Sequence, residues 1–131
     1  MRRTTIGLTP LVLACGFLLA VAAGPAAAKD GDVRVAGTCS SASTSKLKLS
    51  EEDGRIEVEL EVDQNRNGVR WTVVLHRNGA RVARLVRTTR PPSGSFEARR
   101  VISNRAGRDV VRARATTRSG EVCTARATWR A

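Results

Sequence analysis

The sequence predicts an all-β protein: a small antiparallel β-sandwich, immunoglobulin-like, with about seven strands and one disulfide. Three observations carry that expectation. From Lys46 onward, apolar and polar residues alternate at period two, the mark of half-buried strands. Gly, Pro, Asn and Asp punctuate the chain roughly every 8–14 residues, as in small sandwiches. Two cysteines, Cys39 and Cys123, remain once a leader segment is set aside.

The elements follow in order. Lys46-Leu47-Lys48-Leu49 opens the series, and Glu52-Asp53-Gly54 turns the chain. Ile56, Val58, Leu60 and Val62 then alternate with Glu57, Glu59, Glu61 and Asp63. Val69, Trp71, Val73 and Leu75 form the next inward set, with Arg70, Thr72 and His76 outward. Asn78-Gly79 is a strong hairpin signal. Residues 81–89 continue as a strand, although Arg81, Arg84 and Arg87 are also spaced as on one helix face. Pro91-Pro92-Ser93-Gly94 is a turn, Phe96 to Ile102 a strand, and Asn104 to Arg108 a loop. Val111, Ala113 and Ala115 point inward, with Arg112 and Arg114 outward. After Ser119-Gly120, Cys123, Ala125, Ala127 and Trp129 oppose Thr124, Arg126 and Thr128. Trp71, on the third strand, suits the inward tryptophan of immunoglobulin-like folds. A Cys39–Cys123 bridge would join the segment before the first strand to the last strand, unlike the usual inter-sheet staple, so the exact topology stays open.

Residues 1–28 read as a secretory signal. Arg2 and Arg3 are its positive end, Leu11 to Ala23 its apolar core, and Ala26-Ala27-Ala28 its cleavage site. Leu11 to Cys15 also fits a loose lipobox, which would make Cys15 a lipidated terminus. Phe17 to Ala23 stay apolar, however, where a lipoprotein has a polar tether. Cleavage leaves residues 29–131, a single secreted domain with no membrane span. An even pair of cysteines in an exported chain reads as a disulfide. Only 23 of those 103 residues are large and apolar, so a covalent staple would matter to so thin a core.

The stretches Gly37-Thr38-Cys39, Lys46 to Leu49, Asp53 to Trp71, Pro92 to Glu97 and Gly120 to Cys123 resemble a group of short secreted actinobacterial proteins of uncharacterised function. The resemblance covers most of the chain after the leader. It implies export and a small β-rich domain, and it brings no activity, ligand or site residues.

The chemistry-bearing residues are sparse. His76, the single histidine, lies on an outward strand phase beside a turn, as a solvated histidine does. No GxSxG, HExxH or Gly-rich phosphate loop occurs. Glu57, Glu59 and Glu61 are spaced about 7 Å apart on one strand face, close to a glycosidase pair. They lack the aromatic platforms of a sugar cleft. Asp63, Asn65 and Asn67, followed by Gly68, match the opening half of a calcium loop. Position 12 of that loop is Val74 instead of a glutamate, and Arg66 adds a positive charge, so a hairpin turn is expected. No catalytic residue, cofactor or metal is expected, and the protein is read as a non-enzyme.

Charge is the most informative feature. Residues 29–63 carry a net −4 and residues 64–131 a net +13. Arg70, His76, Arg112, Arg114 and Arg126 fall on outward phases of strands that a sandwich would place in one sheet. The acidic strand would lie between Lys46/Lys48 and Arg99, neutralised by both. Twenty of the 23 basic residues are Arg, which a GC-rich genome also produces at tolerant surface positions. Two function classes follow. One is a secreted, non-catalytic binding domain engaging an anionic extracellular polymer or acidic protein, with Arg70, Arg112, Arg114 and Arg126 as polyanion-binding residues. The other is an inhibitor-like protein acting on a protein target through loops such as Arg90-Pro91-Pro92-Ser93. Sequence-specific nucleic-acid binding is disfavoured by export, by the lack of stacking aromatics and by the lack of a recognition helix. A monomer is expected.

Overall fold

The computed structural model describes residues 31–130. The expected leader over residues 1–28, with its expected cleavage site before Lys29, and the alternative lipobox at Cys15 lie outside the described residues. Nine strands form two antiparallel sheets packed as a sandwich. They are β1 (Val33–Ala36), β2 (Thr38–Cys39), β3 (Thr44–Glu52), β4 (Arg55–Asp63), β5 (Arg70–Arg77), β6 (Ala80–Thr88), β7 (Ser95–Ser103), β8 (Arg108–Thr117) and β9 (Val122–Arg130). The first sheet has the order β1-β3-β4-β7 and the second β2-β9-β8-β5-β6.

All seven strands expected from the sequence are present. The count rises to nine because the segment before them forms β1 and β2, one in each sheet. Gly37 is the crossing point between the two. A Cβ there would sit 2.1 Å from Ser45 Oγ and 2.7 Å from the Thr124 carbonyl oxygen, so only glycine lets the backbone pass between the layers.

The core is the set of inward residues that the period-two pattern marks. Leu47, Leu49, Ile56, Val58, Leu60 and Val62 from the first sheet meet Trp71, Val73 and Leu75 from the second, all essentially fully buried. β8 and β9 offer mostly small residues in return: Ala113, Ala115, Ala125 and Ala127. Large side chains facing small ones let the layers interdigitate at interior density. Trp71 lies 5.9 Å from Phe96, ring centroid to ring centroid, in a tilted pair. Its indole N–H donates to Gln64 Oε1 at 3.2 Å, so this large residue is buried without stranding its one donor. Gln64 Nε2 in turn donates to Glu121 Oε2 at 3.1 Å. The Ser43 hydroxyl completes the chain at Glu121 Oε1.

Segment 63–68 corrects one expectation. It is no hairpin turn: β4 and β5 belong to different sheets, and the loop carries the chain from one layer to the other. Thr89, almost fully buried, holds it. The Thr89 hydroxyl donates to the Arg66 carbonyl oxygen and accepts the Val69 N–H at 2.9 Å.

Cys39 and Cys123 are directly opposed on neighbouring strands β2 and β9. They are disulfide-bonded with Cα atoms 4.0 Å apart. The bridge therefore lies within one sheet. It fixes the two-residue strand β2, which backbone pairing alone would hold weakly.

Candidate functional site: a basic sheet face

The two outer faces differ sharply in charge. Strands of the first sheet carry six basic and seven acidic residues. At its centre, Glu59 lies 3.5 Å from Lys48 Nζ and 2.7 Å from Arg99 Nε. Register puts Lys48 and Arg99 on either side of it. The face is thus internally neutralised, and Glu59, the middle of the three glutamates Glu57, Glu59 and Glu61, is ion-paired on both sides.

Strands of the second sheet carry ten arginines and one carboxylate, Asp109. Asp109 points inward and is 1% exposed, so it neutralises nothing on the outer face. There it pairs with Arg77, Nε to Oδ1 at 3.8 Å, and accepts the Arg105 N–H at 3.2 Å. Arg77 also donates to the Ser103 carbonyl oxygen and, at 3.0 Å, to the Ser103 hydroxyl. This buried pair ties β5 to the loop between β7 and β8.

The outward residues of the second sheet line up across strands. Arg126 on β9 faces Arg112 on β8, Arg112 faces His76 on β5, and His76 faces Arg81 on β6. One step along, Thr124, Arg114, Val74 and Arg84 form the next row. With strands about 4.8 Å apart, four aligned residues span about 14 Å, and the two rows lie about 7 Å apart. All five arginines are exposed. Beside them is an open depression of about 560 Å³ lined by His76, Asn78, Arg112, Arg114 and Arg126, among others.

Local sequence explains this alignment. Asn78 (φ 48°) and Gly79 (φ 84°) adopt the left-handed backbone that a two-residue hairpin requires. Asn78 also fastens the turn to β8. Its Oδ1 accepts the Val110 N–H at 2.8 Å, and its own N–H donates to the Val110 carbonyl oxygen at 2.9 Å. The β5–β6 register therefore starts with His76 opposite Arg81. A bulge between Leu75 and His76 then shifts the pairing so that Leu75 faces Ala83. Val82 becomes the extra residue, and Arg84 moves to the outer face while Leu85 turns inward.

The structure thus brings Arg112, Arg114 and Arg126 together around His76. Arg70 shares their face but stands six residues along β5 from His76, about 20 Å away at strand rise. It lies in a separate depression with Thr72, Thr116 and Arg118. Sequence reasoning noted Arg81 and Arg84 only for their helix-like spacing and left them out of the basic face. The Asn-Gly turn could have supplied the register for Arg81. Nothing in the sequence marks the bulge that exposes Arg84.

Of the calcium candidates Asp63, Asn65 and Asn67, Asp63 is engaged by loop structure. Asp63 Oδ1 accepts the Asn65 N–H at 3.1 Å, an Asx turn with Asn65 at φ 56°. Among the described residues, no three His, Cys, Asp or Glu side chains converge as metal ligands, and no helix is long and apolar enough to cross a membrane. The Pro91–Gly94 turn packs on the same loop. A Cβ at Gly94 would lie 2.3 Å from the Arg66 nitrogen, so the exposed prolines sit on a closely seated base.

No family model, no curated protein and no solved structure matches this chain.

Proposed function

We propose that this protein is a secreted, non-catalytic binding domain that holds an anionic extracellular partner on the outer face of its second sheet. The observation that carries this reading is the cross-strand row Arg126–Arg112–His76–Arg81, in which three arginines and a histidine stand side by side with no carboxylate among them. Like charges directly opposed across strands are destabilising, and the first sheet shows how this chain neutralises charge where stability alone is served. Arginine suits the role because its planar fork grips phosphate or carboxylate bidentately. The disulfide supports an oxidising compartment and hence export.

An immunoglobulin-like affinity is supported by the order β9-β8-β5-β6, which runs as strands G, F, C and C′ do, and by the buried Trp71 in the C position. With β5, β6, β8 and β9 in the places of C, C′, F and G, the strands β3, β4 and β7 fall in chain order as A, B and E; the first sheet differs from A-B-E-D in carrying β1 outside A and, among the described residues, no D strand.

Retention of the oxidised protein on heparin or phosphocellulose tests the function. We expect binding at low salt that is lost by about 0.3–0.5 M. Replacing Arg112, Arg114 and Arg126 together by Gln weakens it for every polyanion while leaving the fold intact. Absence of retention at low salt would overturn the proposal.

A further inference from the structure

The two rows on the second sheet form a band that runs across the strands, and its chemistry is one-sided. Arg81, Arg84, Arg112, Arg114 and Arg126 are donor-only side chains with no acceptor capacity. Asn78, at the end of the band, has its Oδ1 already taken by the Val110 N–H. Within the two rows, acceptors are confined to the Thr124 hydroxyl oxygen and a ring nitrogen of His76. A uronic-acid glycan presents many hydroxyl donors, and these would find almost no acceptors here. A phosphodiester backbone presents acceptors throughout and matches the band. The aromatic side chains of the described residues, Trp71, Phe96 and Trp129, are all buried. No aromatic side chain is therefore available on this face to stack on a base or sugar ring, and recognition falls chiefly on the phosphates.

We propose that this band is a subsite for unbranched phosphodiester backbones lying across the strands, with Arg81 and Arg84 as full contacts and Arg70 outside it. The inference rests on the anionic-partner reading above and adds to it the ligand class, the direction of binding and two contact residues. The band spans about 14 Å, so a short run of phosphates fills it and further repeats add no new contact.

The test uses the oxidised protein and a ladder of abasic oligodeoxynucleotides, which are phosphodiester chains without bases, beside hyaluronate oligomers of matched charge. Affinity for the abasic chains should climb over the first few phosphates and then level off, and hyaluronate should bind at least roughly tenfold more weakly. With five arginine contacts, log K against log salt should have a slope of about −3.5, as for single strands. The double variant Arg81→Gln/Arg84→Gln should lower affinity roughly tenfold or more at 50 mM salt and flatten the slope by about 1.4. Arg70→Gln should change affinity less than about twofold. These residues are exposed, so unchanged melting temperatures should accompany the effects. If phosphodiester chains bind but the Arg81/Arg84 variant matches wild type, or Arg70→Gln costs as much, the band is wrong and the anionic-partner reading stands. If hyaluronate binds as tightly as the abasic chains, the ligand class is wrong. If no polyanion binds at low salt, both readings fall.

Discussion

Arg112 and Arg126 stand directly opposite one another on β8 and β9, two exposed cations on adjacent strands whose sheet presents no outward carboxylate among its described strand residues. Opposed like charges cost stability, by about 0.2–1 kcal/mol for a cross-strand pair. Arg112→Gln or Arg126→Gln should therefore raise the urea midpoint at low ionic strength, with the gain shrinking as salt screens the repulsion. The same variants should bind polyanions less well. Equilibrium unfolding and column retention on one set of proteins check both signs. A variant that loses stability and keeps its binding would contradict the assignment.

Much of the fold was legible in the sequence, for a physical reason. A strand with one buried face must alternate, and Ile56 to Val62 or Cys123 to Trp129 alternate without a break. β1 and β2 escaped because four and two residues are too few to display a period. The 63–68 loop was misjudged because Asn and Gly serve any tight connection, whether the next strand pairs with the last or crosses to the other layer. The site was half legible. Phase tells which face an arginine occupies, which located Arg112, Arg114 and Arg126. Phase does not tell how far along a strand two residues lie, so it does not reveal that Arg70, on the same face, stands about 20 Å along β5 from His76. It also fails wherever a bulge resets it, as it does before Arg84.

The buried Arg77–Asp109 pair yields a stability prediction. Asp109→Ala leaves a 7% exposed guanidinium without its counter-charge, and removing one partner of such a pair costs about 3–5 kcal/mol. Arg77→Met combined with Asp109→Ala should recover part of that loss, since the uncompensated charge goes with it. Denaturant unfolding of the single and double variants measures the difference.

Thr89 makes a sharper local test. Thr89→Val keeps the shape but strands the Val69 N–H and the Arg66 carbonyl oxygen, each of which uses the hydroxyl. A loss of about 1–3 kcal/mol is expected. Millimolar calcium should move the melting temperature of the wild-type protein by less than about 1 °C, because a true site would stabilise it through linkage. The Asp63 carboxylate is already engaged within the loop.

The disulfide closes a sequence separation of 84 residues, which chain-entropy arithmetic equates with about 4–5 kcal/mol. Cys39→Ala with Cys123→Ala should lower stability by a comparable amount. N-terminal sequencing of protein secreted by the producing cell should begin at Lys29.

The pairing of β2 with β9 also orders events in time. Cys39 is made early, and its partner strand is the last in the described chain. At about 5–20 residues per second, the ribosome needs roughly 4–17 s to reach Cys123 after Cys39. Through that interval the early thiol has no native mate, and the edge of the second sheet it will complete does not yet exist. The bond therefore cannot close until synthesis has reached β9, so a chain stopped anywhere before Cys123 carries Cys39 without its native partner.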